Sequence, residues 1–309
     1  MDTTPPASRL EQRLRLRQFV MTAEITPPVS CDADELLAKA RPLRGLVDAV
    51  NVTDGAGARA HMSAPVAAAF LAREGLEPIL QLACRDRNRL ALEAELMGAA
   101  ACGVRNILCL TGDDPKAGDQ PETKAVFDID SAALTRIARD LRDRGVLPSG
   151  RAVGGRANFF IGAADVPIDP PPGWRPEKLV AKVAAGAQFA QTQFCMDEGI
   201  ARRYAARLRE HEALRDFSLL IGVAPLRSAK SARWMRQHLF GSIIPDALIE
   251  RLERAMDAAA EGERLDELGA TAGVAGVHVM APANEAALPR VLAEARRRLA
   301  SQQDRRDEA

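Results

Sequence analysis

Short apolar runs alternate with helix-period stretches along almost the whole chain. Runs at 19–25, 47–52, 78–83, 106–110, 157–161, 189–193, 218–221 and 276–280 predict strands. Helical periodicity fills 33–42, 61–74, 89–102, 131–144, 176–185, 197–210, 229–238 with 246–260, and 285–299. No hairpin signal joins two strands, so each strand returns through a helix and runs parallel to the last. Eight such units close a barrel, and the predicted fold is a single-domain α/β (β/α)8 TIM barrel. A doubly wound open sheet is the alternative. It would place a glycine-rich turn after the first strand, where this chain has Glu24, Ile25, Thr26 and two prolines.

The barrel is expected to occupy 18–300. A polar, then Arg-rich extension at 1–17 precedes it, and a polar, flexible tail at 301–309 ends the chain. Two stretches rich in proline, glycine or charge, 113–123 and 168–176, come after the fourth and fifth strands and read as rim loops.

Charge narrows the function classes. The 309 residues carry 42 Lys+Arg against 42 Asp+Glu, a balance that offers no field for a polyphosphate backbone and argues against nucleic acid. No apolar run approaches the roughly 18–20 residues of a membrane span. The opening residues lack the apolar centre of a signal peptide, so a cytoplasmic location is expected. Cys31, Cys84, Cys102, Cys109 and Cys195 are scattered, with no C-x-x-C pair, which predicts reduced and mostly buried thiols and no metal site. His61, His211, His238 and His278 show no ligand spacing; His278, in the last strand, reads as a hydrogen-bonded core imidazole.

Barrel chemistry gathers where strands end at the C-terminal face. Glu24 sits inside an apolar strand, where a carboxyl either has a partner or a task. A carboxyl desolvated at a barrel mouth can hold its proton and act as a general acid. Asp113 comes after Thr111 and Gly112 at the end of the fourth strand, where the glycine permits close approach of a flat ligand. Gln193 closes the sixth strand with an amide suited to a heterocycle edge. Asn51, Thr53 and Asp54 end the second strand, and the charged run at 85–87 after the third reads as a solvated loop.

In this order the strand-end motifs resemble methylenetetrahydrofolate reductase: AEITPP at 23–28, NVTD at 51–54, LACRDRN at 82–88, NILCLTGD at 106–113, KVAAGA at 182–187, QTQ at 191–193, IGVAP at 221–225 and GVHVM at 276–280. The resemblance covers about 18–300. It implies a barrel that binds a flavin, FAD or alternatively FMN, and takes electrons from NADH or NADPH. The implied reaction interconverts 5,10-methylenetetrahydrofolate and 5-methyltetrahydrofolate. It also implies roles: Glu24 as general acid, Asp113 beside flavin and folate, and Gln193 on folate and nicotinamide. Thr53, Gln81, Thr111, Gly112, Asp113, Ala163 and Lys182 correspond to positions that hold the flavin.

The chain departs from the family pattern in several places. Gln81 stands where a histidine is usual and Thr111 where an arginine is usual; the 162–167 segment lacks a tyrosine and a histidine. An aromatic is replaced near Ala229 and an arginine near Asn284. These departures support a second reading, a flavin-independent reductase using the nicotinamide directly. A third keeps the pterin and drops the redox step, a folate-binding accessory barrel serving a methyltransferase, against which Glu24 and Asp113 argue, since binding alone needs no buried acid. A homo-oligomer is compatible with any of them.

Overall fold

The computed structural model describes residues 5–254, 271 and 273–307. Eight parallel strands close in sequence order into one barrel: β1 (Val20–Ile25), β2 (Ala49–Val52), β3 (Pro78–Ala83), β4 (Asn106–Leu110), β5 (Phe160–Asp165), β6 (Phe189–Phe194), β7 (Ser218–Val223) and β8 (Gly276–Val279). The closing seam pairs β1 with β8, Thr22 opposite His278.

Helices α1 (Arg9–Arg15), α2 (Ala33–Ala40), α3 (Ala64–Arg73), α4 (Arg89–Ala101) and α5 (Ser131–Asp143) belong to the first half. The second half carries α6 (Glu177–Ala185), α7 (Glu198–Arg209), α8 (Ala229–His238), α9 (Asp246–Arg254) and α10 (Leu288–Asp307). Their starts obey capping chemistry. Asn88, Asp130 and Asp197 accept from the backbone N–H of the third residue of α4, α5 and α7, and Ser228 forms a capping box with Ser231 at α8. Of the stretch expected to be helical at 246–260, the part to Arg254 is so, and 255–260 lie outside the described residues. The last helix continues to Asp307, past the expected end at 299.

Strand side chains alternate between two apolar layers. One, holding Met21, Ala23, Ile25, Val50, Val52 and Ile161, packs against the helices. The other faces the barrel axis and contains Val20, Ala49, Ile79, Leu108, Phe160, Phe189 and Leu220. Leu10 and Leu14 of α1 join this inner cluster, so the Arg-rich extension expected to precede the barrel supplies a helix that plugs its N-terminal end. Full burial of two such leucines stabilises by about 1.5–3 kcal/mol each.

The fifth strand lies later than the predicted 157–161. Phe160 and Ile161 pair with Asn106 and Ile107, and the ladder continues through Gly162 and Ala163. Gly162, which looks like a strand breaker in sequence, is required there: a Cβ would collide with Phe189 and Leu108, and Phe160 stacks on Phe189 at 4.7 Å.

Candidate active site

On five of the eight strands the residue one step further along the inward-facing row is polar, where barrels usually carry branched apolar layers; β4, β5 and β7 have Leu110, Gly162 and Gly222 there. Thr22, Asn51, Gln81, Gln191 and His278 are all buried. Asn51 and Gln191 exchange two amide hydrogen bonds, with Asn51 Nδ2 donating at 2.6 Å and Gln191 Nε2 at 3.0 Å. Gln191 Nε2 also donates to Thr22 Oγ1 at 3.0 Å, and Thr22 Oγ1 lies 3.0 Å from His278 Nδ1. Each buried polar group thereby has a partner, as such a layer requires. The imidazole is the satisfied core histidine the sequence suggests.

Glu24 stands one step above this layer with its side chain 21% exposed, so it reaches the mouth. Gln81 Nε2 donates to Glu24 Oε2 at 2.8 Å, and His278 Nε2 lies 3.5 Å from the same oxygen. No arginine or lysine pairs with Glu24 among the described residues. Thr53, also inward-facing, has a buried Oγ1 with no hydrogen-bond partner among the described residues.

The run at 85–87 is a clamp built on a buried Arg85 and a partly buried Arg87, with Asp86 exposed. Arg85 is 4% exposed. Its guanidinium pairs with Asp86 and donates to the Gly55 carbonyl at 3.2 Å and the Asp113 carbonyl at 3.5 Å. Arg87 forks onto Asp54 at 2.6 and 2.8 Å, and Asp54 also accepts from Ala83 N. Asp86 and Asp54 hold these two guanidinium groups above the ordinary arginine range. Together they tie the ends of β2, β3 and β4. The solvated-loop expectation fails because the partners lie about thirty residues away. Gly112 has φ +96°, and a Cβ on it would lie 2.9 Å from Arg85 Cβ. Thr111 and Asp113 are exposed on the same rim; Thr111 Oγ1 donates to Ser131 at 3.3 Å.

Two of the expected flavin positions lie at the β5 end. Ala163 shares the outward face of Ile161, so its side chain does not line the mouth. Lys182 turns its ammonium to the end of the strand, donating to the Ala164 carbonyl at 2.5 Å. Burial lowers the Lys182 pKa, partly offset by Asp165, whose own carboxyl is raised by burial against the pull of Tyr204 and Lys182. Tyr204 donates to Asp165 at 2.5 Å. This cluster lies between barrel and helices. Gln193 is half-buried at the end of β6, its Oε1 accepting from Phe194 N at 3.0 Å and its amide hydrogens uncommitted among the described residues.

Over 212 residues, 65% of this chain, the sequence is 27% identical to methylenetetrahydrofolate reductase 2 of Schizosaccharomyces pombe. The alignment covers 31% of that protein, so the match spans about a third of the length of this curated relative. Among solved structures, oxaloacetate acetylhydrolase is similar at 14% identity and TM-score 0.49, over 94% of this chain and 88% of that one. Tryptophan synthase from M. tuberculosis matches at 14% identity and TM-score 0.47, over 95% and 98%. The family model described as methylenetetrahydrofolate reductase matches residues 9–296, a span that includes every strand of the barrel and every mouth residue above, and the chain belongs to that family.

Proposed function

We propose that this chain interconverts 5,10-methylenetetrahydrofolate and 5-methyltetrahydrofolate, with a flavin as hydride carrier and NADH or NADPH as electron donor. The observation that carries the reading is Glu24. It is a carboxyl at the barrel mouth with one oxygen held by Gln81 and no cation paired to it among the described residues. In the reducing direction the five-membered ring of the folate opens when the departing ring nitrogen gains a proton, leaving an iminium at the other nitrogen. Glu24 supplies that proton and becomes a carboxylate beside the cation it has created. Asp113, on the β4 rim, adds a second negative charge. Gln193 offers amide hydrogens to the pterin edge.

The mouth suits a flavin on one specific count: the buried Thr53 hydroxyl has no partner among the described residues and needs one. Thr53, the Thr111–Asp113 turn and Lys182 would hold it, with Lys182 first leaving the Ala164 carbonyl. When bound, the flavin supplies the hydride that converts the methylene carbon to a methyl group.

Glu24→Gln tests the reading. Folate-dependent oxidation of reduced nicotinamide should fall at least about 100-fold, while tetrahydrofolate binding by calorimetry is retained. Unchanged turnover would remove Glu24 from the acid's role. The spectrum of the purified protein, before and after FAD addition, tests the carrier. Full turnover with no flavin bound would favour direct transfer from the nicotinamide, and folate binding with no turnover would favour an accessory barrel.

A further inference from the structure

We propose that His278 is the positioning residue for Glu24, held as the neutral Nε2–H tautomer by the buried amide–hydroxyl chain, and that Glu24 Oε1 is the oxygen that carries and delivers the proton. This deepens the reading of Glu24 as the acid and rests on it.

The direction of the chain can be worked out from both ends. At the inner end, Gln191 Nε2 donates to Asn51 Oδ1 and to Thr22 Oγ1, so the threonine oxygen is an acceptor there. Its own hydrogen has two acceptors in reach, the Val277 carbonyl at 3.4 Å and His278 Nδ1 at 3.0 Å, and the nearer is the imidazole. At the outer end, Glu24 Oε2 already accepts from Gln81 Nε2 and is an acceptor whether or not Oε1 carries a proton, so the imidazole nitrogen 3.5 Å from it is the one that bears a hydrogen. Both ends select the same tautomer: Nδ1 bare and Nε2 protonated. The opposite tautomer would set a lone pair against Oε2 and turn the Thr22 hydrogen to its more distant acceptor. His278 has 3% side-chain exposure, so water does not compete for either nitrogen.

The same contacts fix the proton's place on Glu24. Gln81 donates to Oε2, and His278 Nε2 faces Oε2. Oε1 accepts no hydrogen bond among the described residues. In the neutral acid the oxygen that receives donors is the carbonyl, and the hydroxyl is the other one. Transfer breaks the Oε1–H bond, forms the N–H bond on the departing folate nitrogen, and leaves a carboxylate already facing two donors. The imidazole neither gains nor loses a proton.

The tautomer is measurable without turnover. The chain has four histidines, and three of them lie on helices or loops at the surface, so nitrogen-15 imidazole spectra of the intact protein can be assigned with single His→Gln variants. Near neutral pH, His278 should show one protonated nitrogen, Nε2, and one bare nitrogen, Nδ1. A protonated Nδ1, alone or with Nε2, would overturn the proposal whatever the enzyme catalyses. The kinetic arm uses His278→Leu and His278→Gln. Loss of the donor in the leucine variant should lower kcat about 10- to 100-fold with KM for the folate within about threefold. The glutamine variant, which can place an amide N–H near the same oxygen, should recover most of it. Equal losses in both variants, or a loss carried by KM, would mean a merely structural histidine. If the tautomer is as stated but Glu24→Gln leaves turnover intact, the assignment of the acid fails and the hydrogen-bond direction stands.

Discussion

Gln81 reaches Glu24 from two strands away, its amide donating to Oε2 at 2.8 Å across the barrel mouth. The partner of the candidate acid is therefore neutral. That matters chemically, since a cation within hydrogen-bonding range would favour the ionised carboxylate and oppose delivery of a proton. Gln81→Leu should cost about tenfold in kcat by leaving the carboxyl unheld. Gln81→Lys should cost more, on the order of 10- to 1000-fold near neutral pH. Steady-state rates of the pair, with folate binding checked separately, decide the point. A lysine variant as active as wild type would show that Glu24 works as a carboxylate.

The Arg87–Asp54 fork closes the β2 and β3 ends with both side chains largely buried, 16% and 6% exposed. Removing one member strands the other. Arg87→Leu should destabilise the protein by about 3–5 kcal/mol, because Asp54 then keeps the Ala83 N–H and loses its cation. The double variant Arg87→Leu with Asp54→Asn should recover part of that loss. Urea denaturation of wild type, single and double variants measures it. A single variant within about 0.5 kcal/mol of wild type would be inconsistent with a structural clamp.

Much of this arrangement is visible in the sequence. The eight strand–helix units emerge from apolar periodicity, and the strand-end rule places Glu24, Thr53 and Gln193 at the mouth. The alternation in VMTAEI already puts Thr22 and Glu24 on one face and Met21, Ala23 and Ile25 on the other. Applying the same alternation to Asn51, Gln81, Gln191 and His278 identifies the rest of the polar layer. Other features depend on contacts no local pattern announces. Arg85 and Arg87 look solvated because Asp54 and Gly55 come thirty residues earlier. Strand five is displaced because Gly162 is a poor strand residue until Phe189 and Leu108 fill the space beside it. Leu10 and Leu14, four residues apart in an Arg-rich segment, are too few to announce a helix that plugs the barrel.

Tyr204 illustrates a polar pair buried outside the mouth. Its hydroxyl donates to Asp165 at 2.5 Å, and burial together with the carboxylate pushes the phenol well above its usual range. Tyr204→Phe leaves Asp165 without its hydroxyl donor and should cost about 1–3 kcal/mol. Asp165 faces the helix layer rather than the mouth, so kcat should stay within about twofold. A large loss of turnover at unchanged stability would place Asp165 in the chemistry and contradict this division of the β5 end.

The buried thiols give the protein a stability limit on the alkaline side. Burial raises Cys84 and Cys195 to about 11 and Cys109 to about 12, from an ordinary value of 9.0. Above about pH 9 the unfolded chain releases protons that the folded chain keeps, so the folded state binds more of them. The stabilisation is complete below pH 9 and declines as pH rises toward 11–12, by up to about 1.4 kcal/mol per pH unit for each thiol. Urea denaturation under reducing conditions should show stability falling between pH 9 and 10.5. Cys109→Ala should lower stability at pH 8 through the cavity it leaves, yet flatten the alkaline slope by one thiol's share. Cys31 and Cys102 are exposed and should react with a thiol reagent in the native protein, whereas the other three should react only on unfolding. Five thiols reacting quickly in the native state, or an alkaline slope unchanged in Cys109→Ala, would contradict the burial that raises these thiols.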